Sequence, residues 1–267
     1  MDIDWPGQPP DYSKPPRGEL TVAQVAAMID HSLLRPELTL DDVTLGCEIA
    51  AAHEVATVCC KPADVVHASR ALAGTSVLAG TVVGFPHGSS TTETKVFEAR
   101  GALQDGAREL DMVINIGRLR GGEHAYVAAD IRAIVEVAAT ADVLVKVIFE
   151  NAYLTDAEKV RACHLTEEAG ADFVKTSTGF AAAGATMEDL VLMRRSVGPA
   201  MQVKAAGGVR TLDTMLAMVA IGVSRFGATA TVAILADAKE RAELGELRIP
   251  SVPAVSADTV TVEAQQY

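Results

Sequence analysis

Short hydrophobic runs alternate with longer amphipathic segments along most of this 267-residue chain. The runs are rich in β-branched residues and are typical of strands, whereas the segments between them carry apolar residues at helical spacing. Such alternation favours βα units around a parallel sheet. The predicted strands are Ala27–Asp30, Ala56–Cys60, Val77–Val83, Glu109–Ile114, Val143–Ile148, Phe173–Lys175, Met201–Lys204 and Arg225–Gly227.

Several predicted helices begin with a threonine that is followed three positions later by an acidic residue, which is the spacing of a capping box. The pairs are Thr39 with Asp42, Thr155 with Glu158 and Thr186 with Asp189. Apolar residues at helical spacing also predict helices within Ser90–Leu103, Glu123–Ala138 and Thr211–Ile221.

Eight strands with helices between them predict a single (β/α)8 TIM barrel of the α/β class. An open doubly wound sheet is the alternative, because a count of strands does not show closure. The absence of a GxGxxG motif after any early strand favours the closed barrel. We assign residues 19–248 to the barrel, the proline-rich residues 1–18 to an irregular N-terminal arm, and residues 249–267 to a flexible, polar C-terminal tail.

The formal net charge of −12 argues against broad binding to nucleic acid or to anionic membranes. No apolar run approaches the roughly 20 residues of a membrane span, and the first residues lack the basic and apolar regions of a signal peptide. Cys47, Cys59, Cys60 and Cys163 show no CxxC spacing and are typical of reduced thiols. We therefore expect a cytoplasmic protein without a zinc site.

Charged residues in strand-like runs are the candidate catalytic residues. Lys175 ends such a run, although burial of an ammonium group is unfavourable without compensation. Lys146 and Lys204 hold similar places, and Asp111 lies in an apolar run. Like charges in a closed site lower the pKa of at least one lysine, which supplies a neutral amine for Schiff-base formation. The alternatives are lysines that reach solvent and an Asp111 that is only a salt-bridge partner.

Glycine-rich turns follow the last two predicted strands, as Gly207–Gly208 and as Gly227 with small residues after it. Backbone amides that lead into helix N-termini at this place in a barrel are a usual phosphate cradle. Such turns also occur as plain loops, so their position after strands seven and eight carries the prediction.

Five segments together resemble the 2-deoxyribose-5-phosphate aldolases. They follow the family's order across most of the predicted barrel, and the two lysine-containing segments are the most specific. The segments are Ile29–Leu34, Val82–Gly88, Glu109–Asn115, Phe173–Phe180 and Val203–Thr211.

The resemblance implies a class I aldolase of deoxyribonucleotide catabolism. Such an enzyme reversibly cleaves 2-deoxy-D-ribose 5-phosphate to D-glyceraldehyde 3-phosphate and acetaldehyde, without a metal or an organic cofactor. By motif position, Lys175 resembles the Schiff-base lysine, and Lys204 resembles the neighbouring cation that lowers its pKa. Asp111 resembles the acid that relays protons through water.

The resemblance also implies a substrate pocket and a phosphate site. Tyr267 is a candidate proton shuttle, because some family members use a C-terminal tyrosine in this way. Two segments depart from the family pattern: Phe180–Ala183 carries alanine where many members have glycine, and Gly227–Thr231 carries threonine where serines are commoner. The implied pocket residues are Ser32, Cys59, Lys146 and Thr176, and the implied phosphate-binding residues are Gly179, Gly207, Gly208, Gly227, Ala228 and Thr229.

Two other functions remain open at this point. One is another lysine-dependent phosphosugar aldolase or a transaldolase on the same barrel. The other is a phosphate-binding barrel without catalytic activity. For an enzyme of this kind the expected partners are small phosphosugar and aldehyde substrates, with a homodimer or higher homo-oligomer left open.

Overall fold

The computed structural model describes residues 18–251. This part of the chain contains the eight predicted strands, all parallel to their neighbours. They are β1 (Ile29–Leu33), β2 (Thr57–Cys60), β3 (Leu78–Val83), β4 (Glu109–Val113), β5 (Leu144–Ile148), β6 (Phe173–Lys175), β7 (Gln202–Ala206) and β8 (Arg225–Ala228). The strands pair in chain order and β8 pairs with β1, so the predicted closed barrel is confirmed and the open sheet is excluded.

Helices connect the strands around the outside of the barrel. Thr39 and Thr155 form complete capping boxes, and the Thr186 side chain accepts a hydrogen bond from the Asp189 amide. The helices are α1 (Val22–Ala26), α2 (Leu40–Ala52), α3 (Val65–Ala71), α4 (Thr92–Gln104), α5 (Ile116–Arg120), α6 (His124–Ala139), α7 (Asp156–Glu168), α8 (Met187–Arg195), α9 (Leu212–Val219) and α10 (Thr231–Glu243), with 3-10 turns at Pro62–Asp64 and Asn151–Tyr153.

The predicted bounds of the first and seventh strands were wrong. Ala27 ends α1 with a helical conformation, and its amide donates to the Ala23 carbonyl, so β1 begins two residues later than predicted. The seventh strand was predicted to end at Lys204, but β7 continues two residues beyond it. Asp30 and Lys204 therefore lie inside strands rather than at strand ends, and both side chains are buried.

The two ends of the described chain pair with each other. Glu19 and Arg248 form an isolated antiparallel bridge, and the Ile249 amide donates to the Gly18 carbonyl at 3.0 Å. Ile249, the first residue assigned to the tail, is buried. Residues 1–17 and 252–267, which hold nearly all of the predicted arm and tail, lie outside the described residues, so the proposed division stays a prediction.

A buried ion pair between α4 and α6 supports the turn that follows β3. Lys95 Nζ lies 2.6 Å from Asp130 Oδ2 and donates to the Val113 carbonyl at 2.8 Å. Gly84 packs on the same lysine, because a Cβ at Gly84 would lie 2.8 Å from Lys95 Cε. Gly84 also has a φ of 65°, which favours glycine. The turn at the mouth of the barrel therefore depends on Lys95.

We predict that Lys95→Met lowers the free energy of unfolding by roughly 3–5 kcal/mol, because it leaves the Asp130 carboxylate buried without its cation. The double variant Lys95→Met/Asp130→Leu should recover part of this loss, since no buried charge is then unpaired. Urea unfolding of the three proteins measures both effects. A single variant as stable as the parent chain would contradict the role of this pair.

Candidate active site

Lys175 is the last residue of β6, at the carboxyl end of the barrel where active sites of this fold lie. Its side chain is only 3% exposed, and its Nζ lies 2.6 Å from Asp111 Oδ2. Lys204 Nζ lies 2.6 Å from the same oxygen. The register brings these groups together, because Lys175 and Lys204 are direct partners across β6 and β7. One carboxylate oxygen is therefore shared by the amino groups of two lysines.

These groups belong to a larger buried charge cluster in the barrel interior, where branched aliphatic side chains are usual. Lys146 Nζ lies 2.9 Å from Asp111 Oδ1 and 2.5 Å from Glu109 Oε2. Asp30 accepts from Lys204 through one oxygen and from Arg225, at 2.8 Å, through the other. Each basic group of the cluster thus has a carboxylate partner. Its members are Asp30, Glu109, Asp111, Lys146, Lys175, Lys204 and Arg225.

The two lysines that share Asp111 Oδ2 have pKa values shifted in opposite directions. Burial lowers the pKa of Lys175 and the charge of Lys204 lowers it further, and together they outweigh the opposing effect of Asp111. Burial also disfavours the charged form of Lys204, but the carboxylates of Asp111 and Asp30 outweigh burial and raise its pKa. Lys175 can therefore act as a neutral amine while Lys204 stays an ammonium.

Asp111 remains ionised in this setting. Burial alone would raise its pKa, but Lys146, Lys175 and Lys204 hold the pKa of Asp111 well below its usual range. The sequence-based expectation of a carboxylate among three lysines is matched by the geometry. Asp111 is the salt-bridge partner of the lysines, and it also contacts the amine that would react.

A pocket of about 430 Å³ opens above Lys175 and Lys204. Its wall combines side chains of the strands with backbone of the loops after β6, β7 and β8. Predicted residues in this wall are Ser32, Cys59, Gly179, Gly207, Gly208, Gly227, Ala228 and Thr229. The candidate chemistry and the candidate phosphate site therefore lie at the same cavity.

Lys146 and Thr176, predicted to line the pocket, do not line this cavity. Lys146 is held below it by Glu109 and Asp111. The Thr176 hydroxyl is turned toward β7, where it donates to the Ala206 carbonyl at 3.3 Å and accepts from the Ala206 amide at 3.1 Å. Lys146 therefore supports Asp111 from beneath, and Thr176 joins two strands. Tyr267 lies outside the described residues.

The loops after β6 and β7 meet backbone to backbone. A Cβ at Gly184 would lie 2.3 Å from the Gly207 carbonyl oxygen, and a Cβ at Gly207 would lie 2.8 Å from Gly184 Cα. Gly207 also has a φ of 81°. Glycine is required at both positions. Gly207, which is predicted to bind phosphate, therefore also has a packing role.

Asp30, Glu109 and Arg225 were not among the predicted site residues. The signal that could have found them is the one that identified Lys175, namely a charged residue inside a strand-like run. Their partners were beyond sequence reasoning, because Asp30 and Arg225 meet only where β8 closes on β1.

Cys59, the cysteine that lines the pocket, is held in its protonated form. Burial, with a smaller effect from Asp111, raises the pKa of Cys59 to about 11. Between residues 18 and 251 all four cysteines are buried and unpaired. Within the same range no cluster of histidine, cysteine and carboxylate side chains is arranged to hold a metal ion. No helix there is long and apolar enough to cross a membrane.

A closed (β/α)8 barrel with a buried lysine of lowered pKa, a neighbouring ammonium and a shared carboxylate is the arrangement of a lyase of the aldolase class. The family model described as DeoC/LacD family aldolase matches residues 24–234. The chain belongs to this family.

Curated relatives and solved structures agree with this membership. Deoxyribose-phosphate aldolase of Bacillus mycoides (strain KBAB4) is 53% identical over 216 residues, which cover 80% of this chain and 96% of that enzyme. A crystal structure from Coccidioides immitis has a TM-score of 0.80 at 38% identity. The match covers 89% of this chain and 92% of the chain in that structure. The tetrameric deoxyribose phosphate aldolase from Aeropyrum pernix has a TM-score of 0.74 at 28% identity, with coverages of 82% and 92%.

We predict that Lys204→Leu raises the pKa of Lys175, because a neighbouring positive charge is lost and Asp111 is left to fewer cations. Each unit of the rise lowers the neutral amine about tenfold at pH values below the pKa. The rate at which borohydride traps an acetaldehyde imine should therefore fall near neutral pH, and its acid limb should move to higher pH.

The matched control is Lys239→Leu, which removes an exposed lysine on α10. It should leave the pH profile unchanged. A Lys204→Leu profile that coincides with that of the control would contradict the electrostatic coupling of the two lysines.

Proposed function

We propose that this chain is a class I aldolase that reversibly cleaves 2-deoxy-D-ribose 5-phosphate to D-glyceraldehyde 3-phosphate and acetaldehyde, in deoxyribonucleotide catabolism. The observation that carries the proposal is the Asp111 oxygen shared by Lys175 and Lys204, one with a lowered and one with a raised pKa. The choice of substrate is supported by the curated relatives, which are named for it at 53% identity.

Lys175 begins the reaction as a nucleophile. Its neutral amine attacks the aldehyde carbon of the open-chain sugar, and loss of water gives a protonated imine. The imine withdraws the electron pair of the bond between C2 and C3. That bond breaks when the C3 hydroxyl gives up its proton, which releases glyceraldehyde 3-phosphate and leaves the two-carbon fragment on Lys175 as an enamine.

Asp111 accepts and returns the protons of this reaction through water. It lies 2.6 Å from the reacting amine and is held ionised by its lysines, so it can accept the proton from the C3 hydroxyl and return a proton to C2 of the enamine. Hydrolysis of the resulting imine frees acetaldehyde and restores Lys175. Lys204 keeps its charge throughout and favours the neutral amine of Lys175 before attack.

The far end of the pocket would hold the substrate phosphate. Backbone of the loops after β6 and β7 and the segment that leads into α10 line the cavity there, with Arg210 beside them. Backbone amides at the start of a helix are suited to bind an anion. The alanine and threonine side chains of Gly227–Thr231 leave such backbone contacts intact. Ser32 and Cys59 would contact the sugar between the two ends.

We further propose a cytoplasmic location and a homo-oligomeric state. Buried, unpaired thiols in the described residues support a reducing compartment. The relative from Aeropyrum pernix is described as tetrameric, which supports assembly of this chain with copies of itself.

Borohydride reduction in the presence of acetaldehyde should attach an ethyl group to Lys175, because the imine forms on the amine with the lowered pKa. Peptide mapping by mass spectrometry locates the adduct, and Lys175→Met should abolish both the adduct and cleavage of deoxyribose 5-phosphate. Lys239→Met is the matched control.

The outcome also separates the other functions. An adduct on another lysine would overturn the assignment of the nucleophile, and no adduct would favour a phosphate-binding barrel without catalysis. An adduct on Lys175 with turnover of fructose bisphosphate or sedoheptulose phosphate instead would indicate a different aldolase or a transaldolase.

Asp111→Asn should separate imine formation from turnover. Asp111 raises the pKa of Lys175, so its loss should lower that pKa and favour the neutral amine, and trapping by borohydride should still go to completion on long incubation. Turnover should fall roughly 10²–10⁴-fold, as expected when a general acid–base group is lost. Equal loss of both activities would show that Asp111 acts by placing Lys175 rather than by moving protons.

A further inference from the structure

Glu150, just beyond β5, has an unusual backbone conformation for its type. Its φ of 57° lies in the left-handed region, where residues other than glycine are uncommon. The cause lies in the pairing with β6: the Phe149 amide donates to the Lys175 carbonyl and the Asn151 amide to the Thr176 carbonyl, both at 3.0 Å. The two amides are two residues apart in the chain, but the two carbonyls that they reach are only one residue apart. Glu150 lies between the two amides, so its backbone is contracted to fit this pairing.

The Glu150 carboxylate is buried, with 2% exposure, and is directed at the loop after β6. Its Oε2 accepts a hydrogen bond from the Thr178 hydroxyl and another from the Thr178 amide at 3.3 Å. The Thr178 hydroxyl oxygen in turn accepts from the Phe180 amide at 3.0 Å. One carboxylate oxygen thereby organises the whole turn from Thr178 to Phe180.

This arrangement leaves one amide of the turn available. The amides of Thr178 and Phe180 are both used inside the network, whereas that of Gly179 has no hydrogen-bond partner within residues 18–251. Gly179 lines the pocket and has a φ of 87°. Glu150 does not line it.

We propose that Glu150 is a positioning residue for the phosphate end of the pocket. Its carboxylate holds Thr178, and Thr178 holds the turn in which the Gly179 amide is presented to the phosphate of the substrate. The inference rests on the proposed function, because it takes the phosphate to bind at this turn. Glu150 acts through Thr178 and does not touch the substrate.

The conformation of Glu150 allows its side chain and its backbone to be tested separately. Glycine accepts a φ of 57° without strain, so Glu150→Gly removes the carboxylate and preserves the backbone. Asp142 is the matched control: it has a φ of 54°, is exposed, and precedes β5. Asp142→Gly makes the same kind of backbone change away from the pocket and should leave the kinetics unchanged.

The experiment compares deoxyribose 5-phosphate with unphosphorylated 2-deoxyribose. Glu150→Gly should raise KM for the phosphorylated sugar about tenfold or more, as expected when a hydrogen bond to a charged group is lost. The kcat/KM for 2-deoxyribose should stay within about twofold, because the missing contact is made only to phosphate. Trapping of acetaldehyde on Lys175 by borohydride should be unchanged.

Thr178 provides an independent second test. Thr178→Val removes the bridging hydroxyl and should show the same selective loss, whereas Thr178→Ser keeps the hydroxyl and should restore the parent KM. If Glu150→Gly does not fold, as judged by circular dichroism, this pair of variants decides the question.

Equal losses on the two sugars, in either Glu150→Gly or Thr178→Val, would overturn the proposal and show a general structural role. A KM for deoxyribose 5-phosphate that does not change in these variants would also overturn it. Failure of the proposed function is distinguishable, since the parent chain would then neither cleave deoxyribose 5-phosphate nor trap acetaldehyde on Lys175.

Discussion

The structure depends on the Asp111 carboxylate, which contacts the amino groups of three buried lysines at once. Burial of a charge is unfavourable by several kcal/mol unless it is paired and hydrogen-bonded. Asp111 can meet this demand because its two oxygens are approached from three adjacent strands of a closed barrel. Asp30 and Glu109 complete the compensation, so the interior is a connected network in which each charge depends on its neighbours.

Within this network, the number of carboxylate partners separates two lysines that occupy paired positions on neighbouring strands. Lys204 contacts the carboxylates of both Asp30 and Asp111 and has a raised pKa. Among the carboxylates of residues 18–251, Lys175 contacts that of Asp111 alone, and it has a lowered pKa. The same residue type thus occurs in two settings, one that favours the neutral amine and one that favours the ammonium. Perturbed pKa values of opposite direction at one cavity are typical of catalytic sites.

The pocket divides its tasks between rigid strands and loops. The buried lysines and Asp111 lie on strands, where the register of the barrel sets which of them are neighbours. The proposed phosphate site is instead loop backbone, whose shape depends on glycines that touch each other and on the Glu150–Thr178 contact. Changes of loop side chains, such as threonine for serine at Thr229, are therefore compatible with an unchanged catalytic centre.

The sequence by itself determined the eight βα units, favoured a closed barrel and pointed to Lys175, Lys204 and Asp111 as the candidate catalytic residues. It could do so because hydrophobic periodicity is local, and because a lysine in an apolar run is unusual wherever it occurs. The resemblance of the motifs then predicted the aldolase family to which the chain belongs.

Only the tertiary structure decided which charge compensates which. Asp30 and Lys204 are far apart in the chain, and they meet because β7 and β8 close the barrel against β1. The same is true of Lys146 and Thr176, whose side chains are drawn toward partners on other strands and away from the pocket. The direction of each pKa shift follows from burial together with these contacts. No pattern along the chain contains the contacts, because they are set by closure and by register.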